Sequence, residues 1–225
     1  MLFMMENLLD EQALTFVDEI LANARFVDGG ATAGADAGRI KRNEELDRET
    51  TPKAELLEAL VVRALQLNPT FGDNVLPRNF SRPIVSRYAD GMEYGLHVDN
   101  PLMGAGGGLL RTDVSVTVFL ADPDSYDGGA LELEIEGERR EVKLPRGHAV
   151  AYTTGTPHRV TPVIRGARIA TVLWAESIVA DPHKRRILSD FQRTSHMMVE
   201  RHSGTEEADL FLKGYYDLMR LWAQT

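Results

Sequence analysis

The chain has 225 residues, of which 43% are hydrophobic and 26% are charged, a composition typical of one soluble globular domain. It contains no cysteine, which excludes disulfides and thiolate metal sites. The formal net charge of -9 argues against a general nucleic-acid-binding protein, because contacts to phosphates need a basic surface. No apolar run is long enough for a secretory signal or a bilayer span, so we expect a cytoplasmic protein without a membrane partner.

Two helices and a connecting loop are predicted in the first third of the chain. Apolar residues recur at helical spacing after Asp10, which is a suitable N-cap: Leu14, Val17, Leu21 and Ala24. A second helix begins at Thr51-Pro52 and ends at Asn68-Pro69, with the apolar stripe Leu57, Leu60, Val61, Ala64 and Leu65. Between the helices, residues 28–38 are rich in Gly and Ala without hydrophobic periodicity, which predicts a loop.

From about residue 84 the pattern changes to short runs rich in β-branched residues, separated by turns. The predicted strands are residues 84–88, 94–99, 114–120, 131–135, 141–144, 149–153, 159–163 and 168–174. The turn Glu136-Gly137 joins two of them as a hairpin. Many short strands without intervening helices indicate an all-β sandwich or barrel.

The pattern becomes helical again from Asp181 onward, with one apolar stripe: Phe211, Tyr215, Leu218 and Trp222. This stripe is expected either to pack in the core or to form a dimer contact. The basic run Lys184-Arg185-Arg186 is too short to indicate a nucleic-acid surface, and we interpret it as a solvated helix face or a partner of the helix dipole.

Three residues of the β region have the side chains and the spacing of an Fe(II) site. In a strand over residues 94–99, His97 and Asp99 project from the same face because they lie two positions apart. His158 would reach them from another strand once the sheet closes into a barrel. Two imidazoles and one carboxylate suit Fe(II) and leave three coordination positions open. The alternative interpretation is a surface pair or a histidine that is part of the core.

Arg168 begins a strand-like run in which alternate residues share a face, so it enters the interior together with Ala170, Val172 and Trp174. Both faces of this run are apolar, and a guanidinium buried there needs an anion. A carboxylate of a cosubstrate matches the two-pronged donor geometry of arginine. The alternative is a salt bridge to Asp113 or to a glutamate.

These residues lie in segments that resemble the Fe(II)/2-oxoglutarate dioxygenases of the prolyl hydroxylase superfamily, namely Arg87-Tyr88-Ala89-Asp90-Gly91 and His97-Val98-Asp99-Asn100. Residues 27–34, 111–113, 122–129, 144–147 and 158–163 are similar to its bacterial PKHD-type hydroxylase branch. The resemblance covers almost the whole chain, is most specific over residues 84–176 and is weakest in the C-terminal helices.

The resemblance implies a mainly β fold with flanking helices, a double-stranded β-helix or jelly-roll barrel, followed by a C-terminal helical appendage. It implies a dioxygenase domain in residues 1–178, with helical support in residues 1–80 and a jelly-roll core in residues 81–178. Residues 179–225 would form a C-terminal helical extension.

By resemblance, His97, Asp99 and His158 are the iron ligands, Arg168 binds the distal carboxylate of 2-oxoglutarate, and Tyr88 lines the cosubstrate pocket. The implied reaction is hydroxylation of a substrate C–H bond with O2 and 2-oxoglutarate, which releases succinate and CO2. L-ascorbate is a further candidate cofactor. The sequence does not decide whether the substrate is a residue of a protein, a free amino acid or a small metabolite. It also does not decide whether the protein forms a homo-oligomer.

Two features of the sequence allow more than one interpretation of the proposed site. Val172 stands where related hydroxylases have a hydroxyl residue, so one auxiliary cosubstrate contact is in question. The glycine-rich residues 100–108 directly follow the first two ligands, and we interpret them either as a substrate lid or as a disordered connection.

Two other functions compete with the enzyme. One is a non-catalytic sensor of iron or 2-oxoglutarate that signals through the C-terminal helices. The other is a cupin-like zinc hydrolase, which would have no need for Arg168. The sequence favours the dioxygenase because the ligand triad and the arginine occur together.

Overall fold

A computed structural model of the chain describes residues 1–32, 37–105 and 108–224. Their helices are α1 (Glu11–Leu21), α2 (Ala54–Leu67), α3 (Pro69–Val75), α4 (Pro182–His202) and α5 (Glu206–Trp222). Their strands are β1 (Leu2–Met5), β2 (Phe26–Asp28), β3 (Lys41–Arg42), β4 (Glu44–Leu46), β5 (Pro77–Phe80), β6 (Ile84–Tyr88), β7 (Glu93–His97), β8 (Leu102–Ala105), β9 (Gly108–Arg111), β10 (Val114–Phe119), β11 (Asp127–Gly128), β12 (Leu131–Ile135), β13 (Glu138–Val142), β14 (Ala149–Thr153), β15 (His158–Val160), β16 (Val163–Arg165) and β17 (Arg168–Ser177).

The strands form a jelly-roll barrel from two antiparallel sheets, as predicted. The larger sheet has the order β1-β14-β10-β17-β6-β4-β2, with β5 added beside β17. The smaller sheet has the order β13-β12-β15-β7-β3. The barrel interior lies between these sheets, and the helices α1, α2 and α3 cover the outer face of the larger one.

The side-chain alternation of β10 shows how one strand serves both sides of the larger sheet. Every residue of this strand is buried. Val114, Val116 and Val118 pack in the hydrophobic core that includes α1, α2 and α3, whereas Ser115 and Thr117 line the barrel interior. Because successive side chains of a strand point to opposite faces, the polar residues of this strand are directed into the barrel.

Both predicted N-terminal helices are present, and the residues that end the second one begin another. The side chain of Asp10 caps α1 by accepting a hydrogen bond from the Ala13 amide at 2.8 Å. The residue after α2 is Asn68, whose side chain accepts from the Phe71 amide at 2.9 Å and so caps α3. Proline is tolerated in the first turn of a helix, so Pro69 does not prevent a new helix from starting there.

The first third of the chain contains more β structure than its helical periodicity indicated. Five strands, β1 to β5, lie in residues 1–80, and four of them extend the larger sheet. They are short and lack clear alternation, so pattern reasoning did not detect them. The predicted loop was also partly wrong, since Asp28 ends β2 and short 3-10 turns cover Gly29–Thr32 and Ala37–Arg39. Residues 33–36 of that loop lie outside the described residues.

Two strand boundaries differ from the prediction near the proposed ligands. β7 ends at His97, so Asp99 lies beyond the strand and not within it. The predicted strand over residues 159–163 is divided into β15 and β16. The pairing of β15 with β7 places His158 directly opposite His97, which is the closure that the sequence required.

The described part of the glycine-rich stretch after Asp99 contains two strands. β8 and β9 pair as a two-stranded hairpin, with Leu102 opposite Arg111 and Ala105 opposite Gly108. We call residues 102–111 the mouth hairpin, of which residues 106 and 107 lie outside the described part of the chain.

The two C-terminal helices pack against each other, and α4 also packs against α3. Their apolar cluster contains Val179, Leu188 and Tyr215, and Phe191 stacks on Phe211 with ring centroids 5.1 Å apart. The predicted stripe of α5 therefore packs mainly on α4. Within the described residues, no helix is long and apolar enough to cross a bilayer.

Within the basic run at the start of α4, Arg186 is exposed, but Arg185 does not lie on a solvated face, contrary to our interpretation. Arg185 is buried, and its Nη1 donates to the carbonyl oxygens of Val179 at 2.7 Å and Ala180 at 2.8 Å. Burial lowers the pKa of this guanidinium. Its role is therefore to hold the segment between β17 and α4, which a count of basic residues does not reveal.

Candidate active site

A cavity of about 550 Å³ lies inside the barrel and contains all five site residues predicted from the sequence. These are His97, Asp99, His158, Arg168 and Tyr88. The remaining lining includes Ser115, Thr117, Tyr152, Val172 and Trp174 from the larger sheet, and Ile40, Tyr94, Leu96, Val98, Asn100 and Met103 from the other elements.

The potential ligand atoms of three residues converge in this cavity. The Oδ1 atom of Asp99 lies 3.5 Å from Nε2 of His97 and 3.7 Å from Nε2 of His158. All three ligand atoms lie within 4.8 Å of one another. An ion bound at about 2 Å from each donor needs donors roughly 3–4 Å apart, so the three side chains fit one metal ion.

Backbone carbonyls orient both imidazoles. Nδ1 of His97 donates to the carbonyl oxygen of Gly95 at 2.8 Å, and Nδ1 of His158 donates to that of Thr156 at 2.9 Å. A carbonyl oxygen only accepts hydrogen bonds, so each neutral ring carries its proton on Nδ1 and keeps the Nε2 lone pair for a metal. Burial also lowers the pKa of His158, although nearby Asp99 acts in the opposite direction.

The two oxygens of Asp99 have different surroundings. Oδ2 accepts hydrogen bonds from the Ser115 hydroxyl and from Nε1 of Trp174, both at 2.8 Å. The hydroxyl of Thr154 lies 3.1 Å from that of Ser115. Oδ1 is the atom that faces the two imidazoles. The carboxylate is therefore held so that one oxygen remains for a metal.

The pKa of Asp99 is lowered in spite of its burial. Burial acts to raise this pKa, but the nearby imidazoles of His97 and His158 and the hydrogen bonds that Oδ2 accepts from Trp174 and Ser115 outweigh it. The carboxylate is thus ionised at neutral pH, as metal binding requires.

Aromatic rings pack against the imidazoles. The ring of Tyr94 stacks on His97 with centroids 3.7 Å apart and an interplanar angle of 17°, and the ring of Tyr152 meets His158 edge-on at 5.1 Å. Burial, Asp99 and Glu45 raise the pKa of Tyr94 to about 12, so its hydroxyl stays protonated. These contacts restrict rotation of both potential ligands.

Arg168 is 2% exposed at the start of β17, and its charge lies inside the barrel. Its guanidinium carbon lies 5.3 Å from the ring centroid of Tyr88 and 5.5 Å from that of Phe119. No carboxylate of the described residues lies within 4.0 Å of this guanidinium, and its Nε has no hydrogen-bond partner. The alternative partner, Asp113, instead binds Arg111 at 3.0 Å.

Tyr88 and Val172 both face the cavity near this arginine. Tyr88 pairs directly with Arg168 between β6 and β17, and burial raises the pKa of its hydroxyl. Val172 has no hydroxyl, but Thr117 lies directly opposite it in the pairing of β10 with β17 and also lines the cavity. Hydroxyl groups are therefore present on this wall of the barrel, although residue 172 does not supply one.

Comparison with known proteins identifies the family. Residues 83–176 match the family model of the 2OG-Fe(II) oxygenase superfamily. A PKHD-type hydroxylase of Synechococcus elongatus is 41% identical over 224 residues, and the match spans the whole of both chains. The chain belongs to the PKHD-type hydroxylases. The resemblance seen in the sequence is thereby confirmed.

Solved structures of a prolyl hydroxylase and of HygX share the fold of this family member. A prolyl hydroxylase from Trichoplax adhaerens, in complex with a peptide fragment of hypoxia inducible factor, has a TM-score of 0.54, 20% sequence identity and coverage of 84% of this chain and 86% of its own. HygX from Streptomyces hygroscopicus, with nickel, 2-oxoglutarate and hygromycin B bound, has a TM-score of 0.56, 14% identity and coverage of 78% and 82%. At these identities the likeness concerns the fold alone.

Several residues of the site were not predicted from the sequence. Ser115, Tyr94 and Tyr152 received no role, and Trp174 was placed on the inner face without one. For Ser115 a signal existed, because a polar residue at every second position of an otherwise apolar strand indicates a polar interior. For Tyr94 and Tyr152, the spacing of the chain carries no information about which ring stacks on which histidine.

Proposed function

We propose that this PKHD-type hydroxylase is an Fe(II)- and 2-oxoglutarate-dependent dioxygenase. It hydroxylates a substrate C–H bond with O2 and releases succinate and CO2. The observation that carries this proposal is the convergence of one carboxylate oxygen and two Nε2 atoms beside a buried arginine without a carboxylate partner among the described residues.

In this proposal His97, Asp99 and His158 bind the iron, and the metal when bound supplies the oxygen chemistry. The protein contributes ligand orientation: both Nδ1 protons are held by carbonyl oxygens, and Asp99 offers only Oδ1. A metal held by these three side chains would keep coordination positions free for small molecules.

Arg168 binds the C5 carboxylate of 2-oxoglutarate in this proposal. A buried guanidinium is stabilised by an anion, and a carboxylate fits its paired donors. Tyr88 lines the same pocket and, because its hydroxyl stays protonated, can donate a hydrogen bond there. The barrel walls around the pocket would shield the bound cosubstrate from part of the bulk water.

The test measures succinate formed by the purified protein from 2-oxoglutarate under O2 with added Fe(II). We expect slow turnover even without a prime substrate, and its loss in His97→Ala and Asp99→Ala. The control is His183→Ala, because His183 is an exposed residue in the first turn of α4. Full turnover in either ligand variant would contradict the assignment.

The same preparation separates the two competing functions. A sensor would bind Fe(II) and 2-oxoglutarate, as seen by the visible charge-transfer band of the anaerobic chelate, but would form no succinate under O2. A zinc hydrolase would show no such band. The proposed enzyme shows the band and consumes the cosubstrate.

The substrate of this chain is identified by profiling a cell extract with 18O2, because a hydroxylase transfers one atom of O2 into its product. A peptide in one related fold and hygromycin B in another show that the fold does not determine the substrate. The role of L-ascorbate stays a prediction, which is tested by repeating the succinate assay with and without it.

A further inference from the structure

The mouth hairpin forms part of the cavity wall but has little support from the two large sheets. Met103 in β8 and the preceding Asn100 line the cavity. β8 and β9 pair only with each other in the described structure, as a separate two-stranded sheet. An isolated two-stranded hairpin is marginally stable in water, so its orientation depends on contacts at its base.

Those contacts are concentrated on the last residues of β9. Leu102 and Leu109 are more than half exposed, whereas Leu110 is 2% exposed and fixes the hairpin by burial. Arg111 follows, and its guanidinium reaches Ser177 at the end of β17 and Gln224 just beyond α5. The contacts of Arg111 therefore determine the direction in which the hairpin extends from the barrel.

Arg111 binds three separate parts of the chain. Its Nε donates to both oxygens of Asp113 at 3.0 and 3.1 Å. Its Nη2 donates to the carbonyl oxygen of Ser177, the last residue of β17, at 2.7 Å. Its Nη1 donates to the side-chain oxygen of Gln224, beyond α5, at 3.1 Å. The hydrogen bond to Asp113, together with the charge of that carboxylate, raises the pKa of the guanidinium, so the donors persist at all physiological pH values.

The other members of this network are themselves fixed. Oδ2 of Asp113 accepts a hydrogen bond from the backbone amide of Ser177 at 2.8 Å, and the backbone amide of Gln224 donates to the Ile178 carbonyl oxygen at 2.7 Å. The tail after α5 is thus attached to the chain just beyond β17. Arg111 connects this attachment point to the hairpin.

The base of the hairpin is also linked to the residue beside the proposed ligand Asp99. The Thr112 amide donates to the Pro101 carbonyl at 3.0 Å, and the Thr112 hydroxyl donates to the Asn100 carbonyl. A change in the orientation of Arg111 would therefore be transmitted to the wall that Asn100 and Met103 form.

We propose that Arg111 is a positioning residue that uses the C-terminal tail, through Gln224, to hold the mouth hairpin against the cavity. The C-terminal extension would then help to shape the side of the active site where Met103 lies. This inference rests on the proposed function only in naming the cavity an active site, since the contacts themselves are independent of iron and 2-oxoglutarate.

The first measurement is amide hydrogen exchange of the full chain, with and without anaerobic Fe(II) and 2-oxoglutarate. Gln224→Ala removes one hydrogen bond, worth about 0.5–1.5 kcal/mol, so we expect exchange in residues 102–111 to rise about 2- to 12-fold. Arg111→Leu removes every hydrogen bond that Arg111 makes to the tail and to β17, and it should increase the exchange of the hairpin by more than Gln224→Ala does. Exchange in residues 168–177 should stay unchanged in Gln224→Ala.

The second measurement reports the position of the hairpin itself. The chain has no cysteine, so Ile40→Cys and Met103→Cys introduce two unique spin-label sites on the cavity lining. We expect the distance distribution between the labels to broaden and lengthen in Gln224→Ala and in a chain that ends at Trp222. A change in stability alone would lower the unfolding temperature without altering this distribution, so the two effects are separable.

The matched control is Arg220→Leu, which removes an arginine of α5 that pairs with Asp217 at 3.2 Å and is 74% exposed in its side chain. It should leave both measurements unchanged. Arg111→Lys keeps the positive charge but lacks the several N–H donors of a guanidinium. We therefore expect its effect on both measurements to be smaller than that of Arg111→Leu. If the Gln224 variants match the unsubstituted chain in both measurements, the tail has no positioning role and the inference is wrong. Because neither readout requires turnover, this result would leave the proposed function standing.

Discussion

At the scale of single residues, Asp99 shows how hydrogen bonds can determine which atom of a side chain is available. Its Oδ2 is occupied by Ser115 and Trp174, and its Oδ1 faces the histidines. A carboxylate held in this way is expected to bind a metal through one oxygen. Outer contacts of this kind contribute to affinity because they orient the ligand before the metal arrives.

Trp174→Phe tests this contribution. The substitution keeps an aromatic ring on β17 but removes the N–H that Asp99 accepts, so we expect Fe(II) affinity to fall about 10- to 100-fold. The measurement is an anaerobic Fe(II) titration. Trp222→Phe is the matched control because Trp222 lies in the apolar cluster of the C-terminal helices, and equal affinities for the two variants would contradict the prediction.

Arg168 is the second residue whose surroundings indicate a partner. Arg168→Ala should weaken 2-oxoglutarate binding by about 2–5 kcal/mol, because a buried charge-assisted contact is lost. Iron binding should be retained, since the arginine does not contact the three ligands. Titration of the anaerobic chelate band gives the dissociation constant directly.

The control for this prediction is Arg165→Ala. Arg165 is an exposed arginine of β16 that pairs with Asp127 at 2.8 Å. The Arg165→Ala variant should bind 2-oxoglutarate as tightly as the unsubstituted protein does. An unchanged dissociation constant in Arg168→Ala would reject the role of Arg168 and leave the metal site unaffected.

At the scale of elements, the turns between strands decide whether the barrel closes. Gly166 connects β16 to β17 with a φ of +79°, and a Cβ atom added there would lie 2.3 Å from the carbonyl oxygen of Ser125. Gly137, in the turn between β12 and β13, has a similar φ of +81° but nothing within 4 Å of such an atom. The two glycines share a positive φ and differ in the space around an added Cβ atom.

Alanine substitutions at these glycines separate the two effects. Gly137→Ala should lower the free energy of unfolding by about 1–2 kcal/mol, the cost of the left-handed conformation for a residue with a Cβ. Gly166→Ala should cost more than this, because the turn must also move away from Ser125. Chemical denaturation measures both, and equal losses would show that the contact with Ser125 is easily relieved.

At the scale of the whole molecule, the C-terminal helices are attached to the rest of the chain by specific contacts. The Ser189 hydroxyl lies 3.1 Å from the side-chain oxygen of Asn74, and the Gln192 side chain donates to Asp73 at 2.7 Å, so α4 binds α3. The division between residues 178 and 179 stays a proposal. From these contacts we expect the extension to unfold together with the barrel in one transition.

Leu188→Ala tests this expectation. Leu188 is fully buried in the cluster between α4 and α5, so the substitution should cost about 2–5 kcal/mol. Leu221→Ala, at a residue 74% exposed, should change stability by less than about 0.5 kcal/mol. Calorimetry of both variants should show a single transition, whereas a separate early transition in Leu188→Ala would identify the extension as an independent unit.

The local sequence was sufficient for the features that depend on residue spacing. It determined most of the barrel strands, the cap of α1, and the identity of His97, Asp99, His158 and Arg168 as residues of one cavity. The strands and the cap follow from residue spacing and propensity, whereas the four site residues were singled out by their side-chain chemistry and by the family resemblance, because Asp99 lies beyond β7. The five N-terminal strands were missed because they are too short to show a period.

Only the tertiary structure decided which groups surround those residues. The donors to Asp99 come from β10 and β17, and Arg185 is buried although its neighbours are basic. Asp113 pairs with Arg111 and not with Arg168, which has no carboxylate partner within the part of the chain that the structure describes. The attachment of the mouth hairpin to Gln224 joins positions more than a hundred residues apart. Such contacts are set by the order in which strands pair, and spacing along the chain does not encode that order.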